Sequence, residues 1–206
     1  TQAALLEAME EGQVTIEGET LPLPRPFIVC ATENPIEFEG TYPLPEAQLD
    51  RFLFNTVLGY LSADEEEKVV DLTTATRSVQ VQSVTNAEEI VSFQQLVRMV
   101  PIAQPLAQFV VKLVRATRHD SGIAPDFVKK YVNFGASVRA AQFIVLAAKA
   151  RALARQRYHV AYEDIRALAT PVLRHRILLN FHAESERIDS DEILRRLLET
   201  YASDLA

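Results

Sequence analysis

The stretch that most constrains this chain is Phe27-Ile-Val-Cys-Ala31, an unbroken apolar run that ends abruptly in Thr32-Glu33-Asn34-Pro35. Aliphatic and aromatic residues without polar alternation are the pattern of a parallel strand covered on both faces. An α/β layer is therefore expected near the start of the chain. Ahead of that run, Leu5, Leu6, Ala8 and Met9 set an apolar helical stripe over residues 1–12, with Gly12 as its stop. Residues 13–17 and 20–24 alternate at period two around Gly18, where a turn needs positive φ, and the prolines of the second arm suit a sheet edge. A second short strand is expected at 53–58.

Beyond Tyr60 the pattern becomes helical. Ser62 with Glu65 makes a capping box for a helix to about residue 76, and Asn86 with Glu88 and Glu89 opens another. Residues 77–84 read as a strand or an extended connector. Pro105 suits the first position of a helix running to about His119, and residues 126–133 form a shorter one. Ser137 caps a long Ala-rich helix to about Arg157, and residues 163–168, 171–179 and 190–201 complete the set. The expected organisation is an α/β part over 1–60 and an all-helical part over 61–206.

Composition narrows the function classes. The 206 residues are 48% apolar and 24% charged, which is globular material rather than a disordered or collagen-like chain. The longest apolar runs fall far short of the ~20 residues that span a bilayer, so no membrane segment is expected. No secretory signal is visible, and a cytoplasmic setting fits. A net charge of −7 argues against a dedicated duplex-binding surface, because phosphate neutralisation needs clustered Lys and Arg. Cys30 is the single cysteine, read as a small buried hydrophobe. His119, His159, His175 and His182 share no metal-ligand spacing, and no metal is assigned to them.

Three polar residues could carry chemistry. Asn34 sits past the C-terminal end of the apolar run, where open α/β sheets bind ligands. It can orient a water beside a phosphate, or simply initiate an Asn-Pro turn. Arg51 lies among Leu49, Phe52, Leu53 and Phe54. It is either a salt-bridged structural residue or a planar cation held out for a phosphate. Arg139 falls in the first turn of the helix capped by Ser137, where a cation opposes the macrodipole by ~0.3–1 kcal/mol. An anion bridging Arg139 and that helix terminus would reverse the penalty, whereas a nearby carboxylate would make it an ordinary surface pair. The six glycines do not spell a Gly-rich phosphate loop with a Lys-Ser/Thr ending. Asp64-Glu65 follows Leu61-Ser-Ala, and reads as first-turn helix charge rather than a magnesium-holding pair.

Together these segments resemble the MoxR family of AAA+ ATPases along nearly the whole chain. The strings that carry the resemblance are Thr1-Gln-Ala-Ala-Leu-Leu-Glu-Ala-Met9, the hairpin at 13–24, Ala31-Thr-Glu-Asn-Pro35 and Pro45-Glu-Ala-Gln-Leu-Asp-Arg-Phe52. Gly135-Ala-Ser-Val-Arg-Ala140, Tyr162-Glu-Asp-Ile-Arg-Ala167 and Pro171-Val-Leu-Arg-His-Arg176 extend it. Val138 stands where the family commonly has proline. The resemblance implies an α/β remnant of a P-loop AAA+ core followed by an all-α lid, predominantly helical overall. It implies that Asn34 positions the attacking water, that Arg51 is a finger reaching a neighbouring subunit, and that Arg139 contacts the bound nucleotide in cis. ATP and Mg2+ are the implied cofactors, both requiring a phosphate loop and carboxylates that would precede Thr1, so the fragment alone is expected to be inactive. A homo-oligomeric ring, a hexamer, acting on protein clients is the implied assembly. The alternatives are a non-catalytic lid and interface module, or a related ring motor acting on DNA or in metal chelation.

Overall fold

The computed structural model describes residues 2–33, 44–75 and 81–202. Helix α1 (Gln2–Glu11) stops at Gly12, whose φ of +64° is the left-handed conformation that glycine adopts without a Cβ penalty. Strands β1 (Gln13–Ile16) and β2 (Glu19–Pro22) pair antiparallel. Glu17 and Gly18 between them both have positive φ, 52° and 88°, as a two-residue type I′ turn requires. Glu7 of α1 accepts from the Thr15 hydroxyl at 2.6 Å and so ties the hairpin back to the helix. The residues of β2 are all exposed, in line with the edge placement that Pro22 demands.

Two expected strands are not formed. Residues 27–33 carry no ladder partner among the described residues, and Phe27, Ile28 and Cys30 are exposed rather than buried. A parallel strand needs neighbours to take its amides and carbonyls, and the two antiparallel pairs described here leave it none. Residues 53–58 likewise form no strand, for a different reason. Here the backbone is engaged by a later turn of the chain: the Asn55 amide donates to the Pro171 carbonyl at 2.8 Å, and the Arg174 guanidinium donates to the Asn55 carbonyl at 3.3 Å.

The remainder is helical. After α2 (Glu46–Leu49) comes α3 (Ala63–Thr74), where the Glu65 carboxylate accepts from both the amide (2.9 Å) and the hydroxyl (2.7 Å) of Ser62. Helix α4 (Ala87–Met99) begins with the Asn86 side chain accepting from the Glu89 amide at 2.9 Å. Helix α5 (Gln104–Ala116) places Pro105 second rather than first, because Gln104 opens the helix. Helices α6 (Asp126–Tyr131), α7 (Val138–Ala154), α8 (Tyr162–Leu173), α9 (Phe181–Ser185) and α10 (Ser190–Tyr201) follow. The helix expected over 171–179 is instead the end of α8, a 3₁₀ turn (Arg174–Arg176) and strand β4 (Leu178–Leu179). Strand β4 pairs antiparallel with β3 (Val132–Phe134), and Arg176 donates back to the Val172 carbonyl, closing the helix end.

The core lies among α5, α7, α8 and α10, with Leu113, Ile144, Ile165, Leu173, Ile193 and Leu197 fully buried. Asp164 is buried with them. Burial pushes its pKa up, but hydrogen bonds from Arg157 (2.5 and 2.9 Å), the Ala161 amide (2.9 Å) and Arg151 (3.0 Å) outweigh that and hold it below the usual carboxylate value. This ionic knot joins the end of α7 to the start of α8. By contrast α3 buries none of its residues.

The loop into α7 is built on close backbone approach. A Cβ at Gly135 would sit 2.4 Å from the Thr117 carbonyl oxygen, and Ala136 next door donates its amide to the Thr117 hydroxyl at 2.9 Å. Gly135→Ala must push this backbone apart, at a cost on the order of 1–3 kcal/mol. Thermal unfolding of the variant should show a lowered midpoint; an unchanged midpoint would mean that the loop shifts freely.

A candidate nucleotide-sensing site around Asp50

Helix α2 ends at Leu49, and the next residue presents its carboxylate to three donors from the helical part. Asp50 Oδ1 accepts from Arg176 Nε at 2.8 Å, and Oδ2 accepts from Ser137 Oγ at 3.0 Å and Arg139 Nη1 at 3.3 Å. Arg176 is the most enclosed of these groups, with its side chain 1% exposed. It also donates Nη2 to the carbonyls of Asp50 (2.8 Å) and Phe52 (2.5 Å), and its guanidinium carbon lies 5.0 Å from the centre of the Phe143 ring. Burial lowers the Arg176 pKa, and the hydrogen bond and charge of Asp50 oppose that shift. A guanidinium so enclosed keeps its charge only because a carboxylate and several carbonyls replace water around it.

His175 extends the same grip. Its Nε2 lies 3.1 Å from the Phe52 carbonyl, which assigns that nitrogen the proton, while Nδ1 is buried without a partner among the described residues. Arg174 completes the turn by gripping Asp191 of α10 with two nitrogens, at 3.0 and 2.6 Å. Three consecutive side chains, 174 to 176, thus hold the segment from Asp50 to Asn55 against the end of α8.

The sequence-predicted residues fall at different places around this cluster. Arg139 lies in the first turn of α7, with its amide donating to the Ser137 hydroxyl at 3.2 Å and its side chain 38% exposed. The Asp50 carboxylate offsets the dipole penalty of a cation in a first helical turn, and part of the guanidinium stays open to solvent. Arg51 points elsewhere: its Nη1 pairs with Glu10 of α1, its side chain is 22% exposed, and its Nε is buried without a partner among the described residues. Asn34 lies outside the described residues. Sequence reasoning missed Asp50, His175 and Arg176 as members of the site. Asp50 and Arg176 both sit inside strings singled out above, but nothing local to either says that they meet.

Comparison with known proteins places the chain in a family. Residues 1–54 match the model of the ATPase family associated with various cellular activities (AAA), and residues 126–197 match that of the AAA lid domain. A relative described as the chaperone MoxR1, from Mycobacterium tuberculosis, is 40% identical over 98% of this chain and 53% of its own length. The chain belongs to the MoxR family of AAA+ ATPases. The uncharacterised protein YeaC of Bacillus subtilis is also 40% identical, over 96% of this chain and 59% of its own. A crystal structure from Cytophaga hutchinsonii, provisionally assigned as an ATPase, superposes with a TM-score of 0.89 at 40% identity, covering 96% of this chain and 60% of that one. The chain therefore spans little more than half the length of the relatives it matches. In this MoxR-family chain, Asp50 and Arg51 fall in the segment matched as AAA, and Arg139 and Arg176 in the segment matched as lid. The Asp50 carboxylate joins the two.

His175 gives this junction a pH dependence. Burial, and then the positive charge of Arg176, pull its pKa from 6.5 to about 4. The unfolded chain therefore binds the proton more readily, so the stability tied to neutral His175 is complete above about pH 6.5 and is lost as pH falls toward about 4. Denaturant unfolding at stepped pH should show a slope approaching ~1.4 kcal/mol per pH unit in that window. The slope should be reduced in His175→Gln; an equal slope in both proteins would assign the effect to other groups.

Proposed function

We propose that this chain is the sensing and trans-acting half of a MoxR-type ATPase that couples ATP hydrolysis in a cytoplasmic homo-oligomeric ring, a hexamer, to chaperone-like remodelling of protein complexes. The observation that carries the reading is the partly exposed Arg139 at the start of α7, held by Asp50 beside Arg51. A phosphate oxygen approaching Arg139 meets a cation already oriented by Ser137 and Asp50, together with the N-terminal end of a 17-residue helix.

ATP supplies the scissile phosphate bond, and Mg2+ offsets the charge on its oxygens; both would be held by a phosphate loop and carboxylates in a segment preceding residue 1. Arg139 contacts the nucleotide of its own subunit, and Asn34 orients the attacking water. Arg51 reaches the site of a neighbouring subunit and stabilises charge in the transition state, a contribution of about 10³–10⁵ in rate for such arginines. That role requires Arg51 to exchange Glu10 for a phosphate on assembly. Residues 1–60 belong to the core and 61–206 form the lid, whose helices turn nucleotide state into movement between subunits. Residues 1–206 alone do not hydrolyse ATP. The chaperone-like role rests on the description of the Mycobacterium tuberculosis relative, and proteins are the clients.

Arg51→Ala in the full-length protein should lower kcat by at least about a thousandfold while leaving ATP affinity within about threefold. Steady-state hydrolysis and a fluorescent-nucleotide titration measure the two quantities. Normal turnover by this variant would remove the trans assignment.

A further inference from the structure

Resting on that reading of Arg51 and Arg139, we propose that Asp50 is a positioning residue that makes the two arginines one coupled unit. The nucleotide engaged by Arg139 in one subunit then sets where Arg51 stands for the next. The carboxylate divides its two oxygens between two tasks. Oδ1 is committed to the buried Arg176, which anchors the turn to the lid, and Oδ2 faces the first turn of α7 through Ser137 and Arg139. Arg139 uses one guanidinium nitrogen on Asp50 and keeps over a third of its side chain exposed, so it can hold the carboxylate and a phosphate together. Any shift of the Arg139 head is transmitted to Asp50, and Arg51 is the next residue along the chain.

The turn that carries both residues is small enough to move as a piece. The amides of Asp50, Arg51 and Phe52 bond to the carbonyls of Glu46 (3.0 Å), Gln48 (3.2 Å) and Leu49 (3.1 Å), one overlapping set of short-range bonds. Arg51 is secured on the other side by Glu10, whose side chain is 46% exposed, an ion pair that solvent and a competing phosphate can reach. The turn therefore has a firm attachment through Arg176 and two exchangeable ones, through Arg139 and Glu10.

Asp50→Asn removes the charge facing both arginines but keeps an oxygen that can accept from Arg176 Nε, so the anchor is weakened while the ionic path to Arg139 is cut, and only the second effect depends on Arg139. In the full-length ATPase we expect ATP affinity within about threefold of wild type and kcat lowered by about tenfold or more, a split that simple loss of fold would not produce. In an Arg139→Ala background the same substitution should add less than about twofold, because the path through Arg139 is already cut. Wild-type kcat for Asp50→Asn, or an effect of full size in the Arg139→Ala background, overturns the coupling.

A second measurement needs no substitution at Asp50. Hydrogen exchange at the amides of Asp50, Arg51 and Phe52 should differ between the ADP-bound protein and the protein bound to a non-hydrolysable ATP analogue. That difference should vanish in Arg139→Ala, and its absence in the wild type overturns the coupling. If Arg51→Ala hydrolyses ATP normally or Arg139→Ala binds it normally, the reading beneath the proposal fails and the proposal fails with it. If both variants are impaired as expected and only the Asp50 results disagree, the coupling alone is wrong.

Discussion

The pairing of Asp50 with Arg176 is the constraint on which the arrangement of the two matched segments depends. Arg176 is enclosed between the end of α8 and the Phe143 ring of α7, and an enclosed guanidinium without a counter-charge would cost several kcal/mol. The counter-charge comes from far upstream in the chain. The segment after α2 therefore cannot drift from the lid without exposing Asp50 and stranding Arg176. Phe52 and Asn55 follow because Arg176, His175 and Arg174 take their backbone carbonyls.

Helix α7 carries an acidic attachment near each end. Asp50 meets its first turn through Ser137 and Arg139, and Asp164 meets its last turn through Arg151. The two differ in burial. Asp164 is wholly enclosed and stays ionised because several donors converge on it. Asp50 keeps part of its side chain in solvent, as does Arg139. A helix of 17 residues is about 25 Å long at 1.5 Å per residue, so α7 can act as a strut, tightly knotted at the α8 end and adjustable at the end where a nucleotide would act.

Parts of the chain were legible because their physics is local. The stop at Gly12, the turn at Glu17 and Gly18, the Ser62–Glu65 box and the caps at Asn86 and Ser137 each involve groups within a few residues of one another. The apolar run at 27–31 reads as a covered strand but stays unpaired among the described residues, for the opposite reason. Its composition states a preference for burial, but burial needs partner strands, and none pairs with it among the described residues. The same gap left Cys30 exposed.

By itself the sequence determined the helical character of the second part, the caps that start its helices, and the strings that place the chain in its family. It also marked Arg51 and Arg139 as the arginines to examine, since a cation in a first helical turn and a cation among apolar anchors both ask for an anion. Only the tertiary structure decided which anion each one finds: Glu10 for Arg51, and Asp50 for Arg139. It alone made Asp50 and Arg176 partners across most of the chain. An ion pair between distant residues is chosen by the packing that brings them together and excludes water from one of them, and no local pattern encodes that meeting.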